Sequence, residues 1–308
     1  MFAQFAACQT ATHMESRSEY IAVRGLRYHV RRWGDPTAPM VILLHGWLDT
    51  SATWADVATG LCAGRQVLCP DWRGFGLSEW PQDGYWFPDY VGDLEAVLDH
   101  YAPAAAVDLV GHSLGGQVAS LYAGARPTRV RRLVLLDSLF LPDMEMSMAA
   151  RRYRVWLDEL KDLPQQKTYA SFEALAQRVR KQHPQLSAER ALFVARGWGR
   201  EESGGRISLC ADPRHRMRGP GLYHVEESIA LWREVTADTL FLDGGKSLFT
   251  KAISDAERER RRGCFRTHSE AVLPAAGHMV HFDAPAETAA EVATFLDRGE
   301  LPSPRTIA

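Results

Sequence analysis

Residues 107 to 123, VDLVGHSLGGQVASLYA, constrain this chain more than any other stretch. A short apolar run breaks at Gly111, crosses His112-Ser113-Leu114-Gly115-Gly116, and resumes with Val118, Ala119, Leu121 and Tyr122 at helical spacing. The pattern reads as a strand, a tight turn and a helix. A serine at the apex of such a turn sits in a strained backbone and needs small neighbours, which Gly111 and Gly115 supply. Taken alone, the five residues Gly111-His112-Ser113-Leu114-Gly115 fit a Gly-rich turn that merely ends a strand. The strand before them and the helix after them shift the balance towards a site.

The same alternation runs through the flanking chain. Residues 19 to 23 and 26 to 33 read as a hairpin about Arg24-Gly25, closed by the turn Gly34-Asp35-Pro36. Residues 40 to 44 form a continuous apolar run, as expected of a strand buried on both faces, and lead into His45-Gly46-Trp47. A helix around Trp54, Val57 and Leu61 and a strand at 66 to 69 follow. In 71 to 78 (DWRGFGLS) the two glycines mark a sharply turning backbone. An amphipathic helix over 88 to 101 delivers the chain to the serine turn, and another buried strand, 132 to 137, closes on Asp137.

From 138 to 237 the alternation stops. Helical patterns at 148 to 160, 172 to 182 and 188 to 195 are broken by Pro164, Pro184 and Gly-rich turns, so this stretch reads as an inserted helical cap. A strand at 239 to 243, a charged helix over 248 to 262, a strand at 267 to 273 and a helix at 286 to 296 complete the pattern. The expected fold is α/β, a mostly parallel sheet with helices on both faces. Its core takes residues 18–137 and 238–300, the cap takes 138–237, and 1–17 is a loose tail.

Composition narrows the partners. With 46% hydrophobic and 24% charged residues over 308 positions, the chain can bury a large core, and a formal charge of −2 offers no field to attract a polyanion or a membrane surface. The basic run at 257 to 262 (ERERRR) is read as the solvated face of a helix, so no nucleic acid is expected. Five scattered cysteines show neither C-x-x-C nor zinc-site spacing, which suits reduced thiols in a cytoplasm. No apolar run approaches the ~18 residues of a membrane span, so no membrane partner is expected. No H-E-x-x-H or comparable cluster appears, so neither metal nor cofactor is expected.

Three polar residues close strands in this reading: Ser113, then Asp137, then His278 after the last strand. Ligands of open α/β sheets bind at those carboxyl ends. A serine hydroxyl is a weak nucleophile until an imidazole takes its proton, and the imidazole needs a carboxylate to fix its tautomer. His281, three residues on, competes for the imidazole role, but the glycine before His278 favours the latter. His45 and His112 flank the turns and are read as packing or bonding to backbone.

The chain resembles the α/β-hydrolase fold family from Tyr20 to Leu296, and its serine hydrolase-like subgroup in particular. The similarity rests on His45-Gly46-Trp47, Asp71-Trp72-Arg73-Gly74-Phe75-Gly76-Leu77-Ser78, Gly111-His112-Ser113-Leu114-Gly115-Gly116 and Gly277-His278. It implies Ser113 as nucleophile, His278 as general base, and an oxyanion hole from the backbone amides of Trp47 and Leu114. One departure stands out. Many members carry the acid after the penultimate strand, where Gly244-Gly245-Lys246-Ser247 here places Ser247. Asp137, at the strand end used by some members, is taken as the acid, with Asp243 as the alternative; for either residue the bland reading is turn capping.

The leading functional reading is a serine hydrolase, carboxylesterase-like, cleaving an ester of a small apolar or aromatic acyl compound. The aromatic residues of the insertion, among them Tyr153, Trp156, Phe172, Phe193, Trp198, Tyr223 and Trp232, point weakly to that substrate. Two others stand beside it. A cofactor-free dioxygenase of hydroxy-oxoquinoline-type rings resembles the chain at Gly46-Trp47 and at residues 71 to 74. A non-catalytic ligand-binding protein would explain the vacant acid position at Ser247.

Overall fold

The computed structural model describes residues 15–299 and 305–307. Of the expected tail, residues 1–14 lie outside the described residues, and Arg17 already belongs to the first strand. Strands β1 (Arg17–Val23) and β2 (Leu26–Trp33) pair as an antiparallel hairpin, and β2 continues antiparallel onto β4 (Gln66–Pro70). From there β3 (Met40–Leu44), β5 (Val107–His112) and β6 (Val130–Leu136) run parallel.

The segment between β6 and the next sheet strand carries helices α4 (Ala149–Lys161), α5 (Phe172–Gln182) and α6 (Ala188–Trp198). It also holds three short strands, β7 (Thr168–Tyr169), β8 (Gly199–Glu201) and β9 (Ile207–Leu209), that pair with one another. Strands β10 (Asp238–Gly244), β11 (His268–Leu273) and β12 (Arg305–Thr306) then extend the main sheet in parallel. The nine strands lie in the order β1-β2-β4-β3-β5-β6-β10-β11-β12.

Alternate residues of the central strands face opposite layers, as a pleated strand requires. Ile42 and Leu44 of β3 pack with α2 (Phe87–Tyr101) and α3 (Leu114–Ala125), whereas Val41 and Leu43 pack with α1 (Ala55–Leu61) and α10 (Pro285–Arg298). Both faces are therefore apolar, which is why these strands are continuous rather than alternating runs of hydrophobic residues.

Helix α7 (Val225–Trp232) falls inside the stretch expected to be an insertion, yet Val225, Ile229 and Trp232 pack in the core layer of α3. The Trp232 indole donates to Ser120 Oγ at 3.0 Å. The charged helix expected over 248 to 262 is shorter: α8 spans Asp255–Arg262, capped by Ser254, whose hydroxyl accepts from the Glu257 amide. A separate 3-10 turn, Phe249–Lys251, precedes it. Among the described residues no helix is long and apolar enough to cross a membrane.

Candidate active site

Ser113 occupies the single position between β5 and α3, at φ 49° and ψ −112°. A side chain with a β-carbon is strained there, so neighbouring structure must hold it. Its amide donates to the Leu136 carbonyl at 3.1 Å, and its carbonyl accepts from the Gln117 amide at 2.9 Å. The glycines of the turn permit the close approach. A β-carbon on Gly115 would lie 2.1 Å from the Leu44 carbonyl oxygen, and one on Gly111 would lie 2.5 Å from that of Gly115. The serine is thus clamped over the carboxyl ends of β3, β5 and β6.

His278 lies in the loop after β11 and directs Nδ1 at Asp137 Oδ2, 2.6 Å away. Asp137 sits at φ 41°, a left-handed turn that aspartate tolerates better than most residues. Its Oδ1 accepts from the Gly244 amide at 3.0 Å, and its Oδ2 also accepts from the Ser247 hydroxyl at 2.6 Å. The carboxylate is wholly buried, whereas the His278 side chain keeps 18% exposure. Of the two acids, the structure brings Asp137 to His278. Asp243, the alternative acid, instead accepts from Arg262 Nη2 at 2.5 Å in a buried ion pair. Burial pushes the Asp243 carboxyl up, against the pull of Arg262.

Ser113, Asp137 and His278 line one cavity of about 470 Å³, walled by Phe87, Leu139, Phe140 and Phe249. Trp47 and Leu114 share its lining. The Leu114 amide leads helix α3 and has no partner within it. The loop bearing Trp47 presses on the turn: a β-carbon on Gly46 would come within 2.8 Å of His112 Nδ1 and 3.2 Å of Ser113 Cβ. Among the described residues no hydrogen bond joins Ser113 to His278.

Behind the cavity lies a second imidazole–carboxylate pair that sequence reasoning did not anticipate. His281 Nε2 meets Asp49 Oδ2 at 2.9 Å with both side chains fully buried. Asp49 Oδ1 also accepts from Thr53 Oγ1 at 2.8 Å and from the Trp198 indole at 2.7 Å. Burial pushes the Asp49 carboxyl up, but His281, His45 and the Trp198 indole outweigh it and leave it below its ordinary range. His112 bridges the two pairs, with Nε2 at 2.8 Å from the His278 carbonyl oxygen, so Nε2 carries the proton. Burial holds His112 neutral, far below the ordinary histidine range.

Asp49, His112 and His281 form a group with potential ligand atoms within 4.8 Å of one another. Both oxygens of Asp49 are already engaged by protein donors, which suits a structural network. The turning motif at 71 to 78 is structural as well. Asp71 accepts from the Ser51 and Leu77 amides at 2.6 and 2.9 Å and meets His29 Nδ1 at 2.8 Å.

A strained serine between strand and helix, with an acid and a histidine from later strand ends, on a mostly parallel sheet, defines a class. Residues 39–285 match the sequence model of the alpha/beta hydrolase fold, and the chain belongs to that family. A serine hydrolase-like protein of Danio rerio is 26% identical over 86% of this chain and 83% of its own length. An esterase of Mycobacterium tuberculosis is 29% identical over 82% of this chain and 81% of its own. A 2-(acetamidomethylene)succinate hydrolase of Mesorhizobium japonicum is 26% identical over 91% and 95%. The thioesterase domain of a curacin biosynthetic pathway shares the fold with a TM-score of 0.80 at 24% identity, covering 92% of this chain and 99% of that one. The relatives are hydrolases and esterases, and this chain is a hydrolase.

Proposed function

We propose that the chain cleaves an ester of an apolar or aromatic acyl compound, with Ser113 as nucleophile, His278 as proton carrier and Asp137 as its orienting carboxylate. The observation that carries this reading is the 2.6 Å contact of His278 Nδ1 with Asp137 in the cavity lined by Ser113. Because the carboxylate engages Nδ1, the neutral imidazole keeps its proton there and leaves the Nε2 lone pair for the serine. Nε2 accepts the Ser113 proton as Oγ bonds to the ester carbon. The carbonyl electron pair moves onto oxygen, held by the amides of Leu114 and Trp47. Collapse expels the alcohol, which takes the proton from His278 and leaves an acylated Ser113. Water repeats the sequence and releases the acid.

The apolar walls of the cavity support an apolar acyl group, and the helical segment from 138 to about 224 is its proposed cap. Ser247 no longer argues for a scaffold without chemistry, since its hydroxyl donates to Asp137. A fluorophosphonate probe should label Ser113, and p-nitrophenyl esters of increasing chain length should be turned over. Folded protein that resists the probe and leaves every ester intact would sink the proposal. Oxygen uptake with a hydroxy-oxoquinoline under those conditions would point to the dioxygenase reading.

A further inference from the structure

The apolar cavity does not end at Ser113. Trp47 and Met279, the residue after His278, also line a second cavity of about 240 Å³, set between the core and the segment carrying α5 and α6. The chemistry changes across that boundary. Lys167, Arg178 and Arg216 all face the second cavity, and no aspartate or glutamate lines it. They come from three separate places: the stretch before β7, the middle of α5, and the 3-10 turn Pro213–Arg216. The fold, and not a local run of charge, brings them together.

Among the described residues none of the three forms an ion pair, and Arg216 Nη1 donates only to the Gln165 carbonyl, at 3.3 Å. Arg214 lines a third, aromatic cavity that also adjoins Trp47, and it is held there by Asp212 at 2.6 Å. Exposed cations are ordinarily solvated and need no explanation. Here they converge on a concave surface whose floor is Leu175, Val179 and Leu209, which screens them less than open water does. Mutual repulsion of three like charges is relieved by an anion between them, and the guanidinium fork matches a carboxylate or phosphate.

We propose that the substrate is an ester carrying an anionic oxyacid group, a carboxylate or a phosphate, on one side of the scissile bond. That group is held by Lys167, Arg178 and Arg216 while the apolar part fills the cavity at Ser113. The inference rests on the reading of Ser113 as the reaction centre, and it makes these three cations determinants of specificity.

The test compares p-nitrophenyl hexanoate with mono-p-nitrophenyl adipate and with a p-nitrophenyl 6-phosphonooxyhexanoate. Matched alkyl esters of hexanoic acid bearing the anion on the alcohol complete the set. At low salt, kcat/KM should favour an anionic ester over its neutral partner by on the order of tenfold or more, chiefly through KM, and the advantage should shrink as salt rises. Arg178→Glu/Arg216→Glu should reverse the preference. Whichever anion gains more identifies the source.

Binding to Ser113→Ala, measured by calorimetry with monomethyl adipate and with methyl hexanoate, reads the basic cavity without the serine. Selective binding of the anionic ester with no turnover in wild type would overturn the serine reading and keep the anion site. Equal kcat/KM for neutral and anionic esters, equal binding of the two probes, or a preference that survives charge reversal would overturn the inference.

Discussion

Two histidines three residues apart each face an aspartate, and the contrast between them separates the pair proposed to react from a sealed one. His278 offers Nδ1 to Asp137 and lines the cavity, whereas His281 offers Nε2 to Asp49 and is sealed in. The loop after β11 holds His278 beside solvent. A short helix, Val280–Asp283, turns His281 inwards, where it stacks on Trp54 with ring centroids 4.5 Å apart. A carboxylate beside an imidazole is therefore no mark of catalysis by itself. What the second nitrogen faces decides whether a proton can leave.

The largest effect that would sharpen this contrast is at the serine. Ser113→Ala should lower ester turnover by on the order of 10⁵ to 10⁶, and a loss of less than tenfold would show that the reacting hydroxyl lies elsewhere. Asp137→Asn should follow, with a loss on the order of 10⁴ and a near-normal melting transition, because the amide favours the wrong imidazole tautomer. Asp243→Asn should instead cost stability by removing one of the two carboxylates on the buried Arg262 guanidinium, with Glu270 left as the other. A turnover defect confined to Asp243→Asn would reassign the acid.

The sealed pair predicts the opposite partition. Asp49→Ala leaves the buried His281 and the Trp198 indole without their acceptor, and it should cost about 3–5 kcal/mol in denaturant unfolding while specific activity of the folded fraction stays within a few-fold. Normal stability with abolished activity would break the comparison. Ser247→Ala removes one charge-assisted hydrogen bond from Asp137 and should slow turnover by roughly tenfold. Unchanged kinetics would make that hydroxyl a bystander.

The smallest effect concerns pH. Burial depresses His112 and His45, and it takes His215 to about 3, all below the ordinary value of 6.5. A depressed folded value means that the unfolded chain binds protons first as pH falls, so stability should be flat above 6.5 and decline below it. The slope should be no more than about 1.4 kcal/mol per pH unit for each histidine. Urea midpoints across that range check it. A rise in stability on acidification would mean that these rings gain partners when protonated.

The alternation of apolar strands and amphipathic helices made the sheet legible, because both layers demand it. Three short strands, β7 to β9, escaped because two or three residues carry no period. Helix α7 escaped because its core face lies within an irregular stretch. The sequence favoured Asp137 over Asp243 only through the resemblance, since both close adjacent parallel strands. Asp243 lies within β10 and meets Arg262 at the end of α8. Asp137 lies past the end of β6 in a left-handed turn and can follow the loop to His278. The Asp49 network and the three cavity cations left no local signal, for their members are brought together only by tertiary folding.

The Trp198 indole that satisfies Asp49 has a mechanical consequence. Together with the 2.9 Å bond from Thr50 Oγ1 to the Gly197 carbonyl, it rivets the end of α6 to the floor of the sheet. Helix α4, at the other side of the same segment, buries none of its residues. The segment is consequently bolted along one border and loose along the other. Molecules should pass in and out beneath α4, and amides of 149–161 should exchange with solvent long before those of 188–198. A disulfide stitched across the α4 border would then throttle traffic through the molecule without touching any group that performs chemistry.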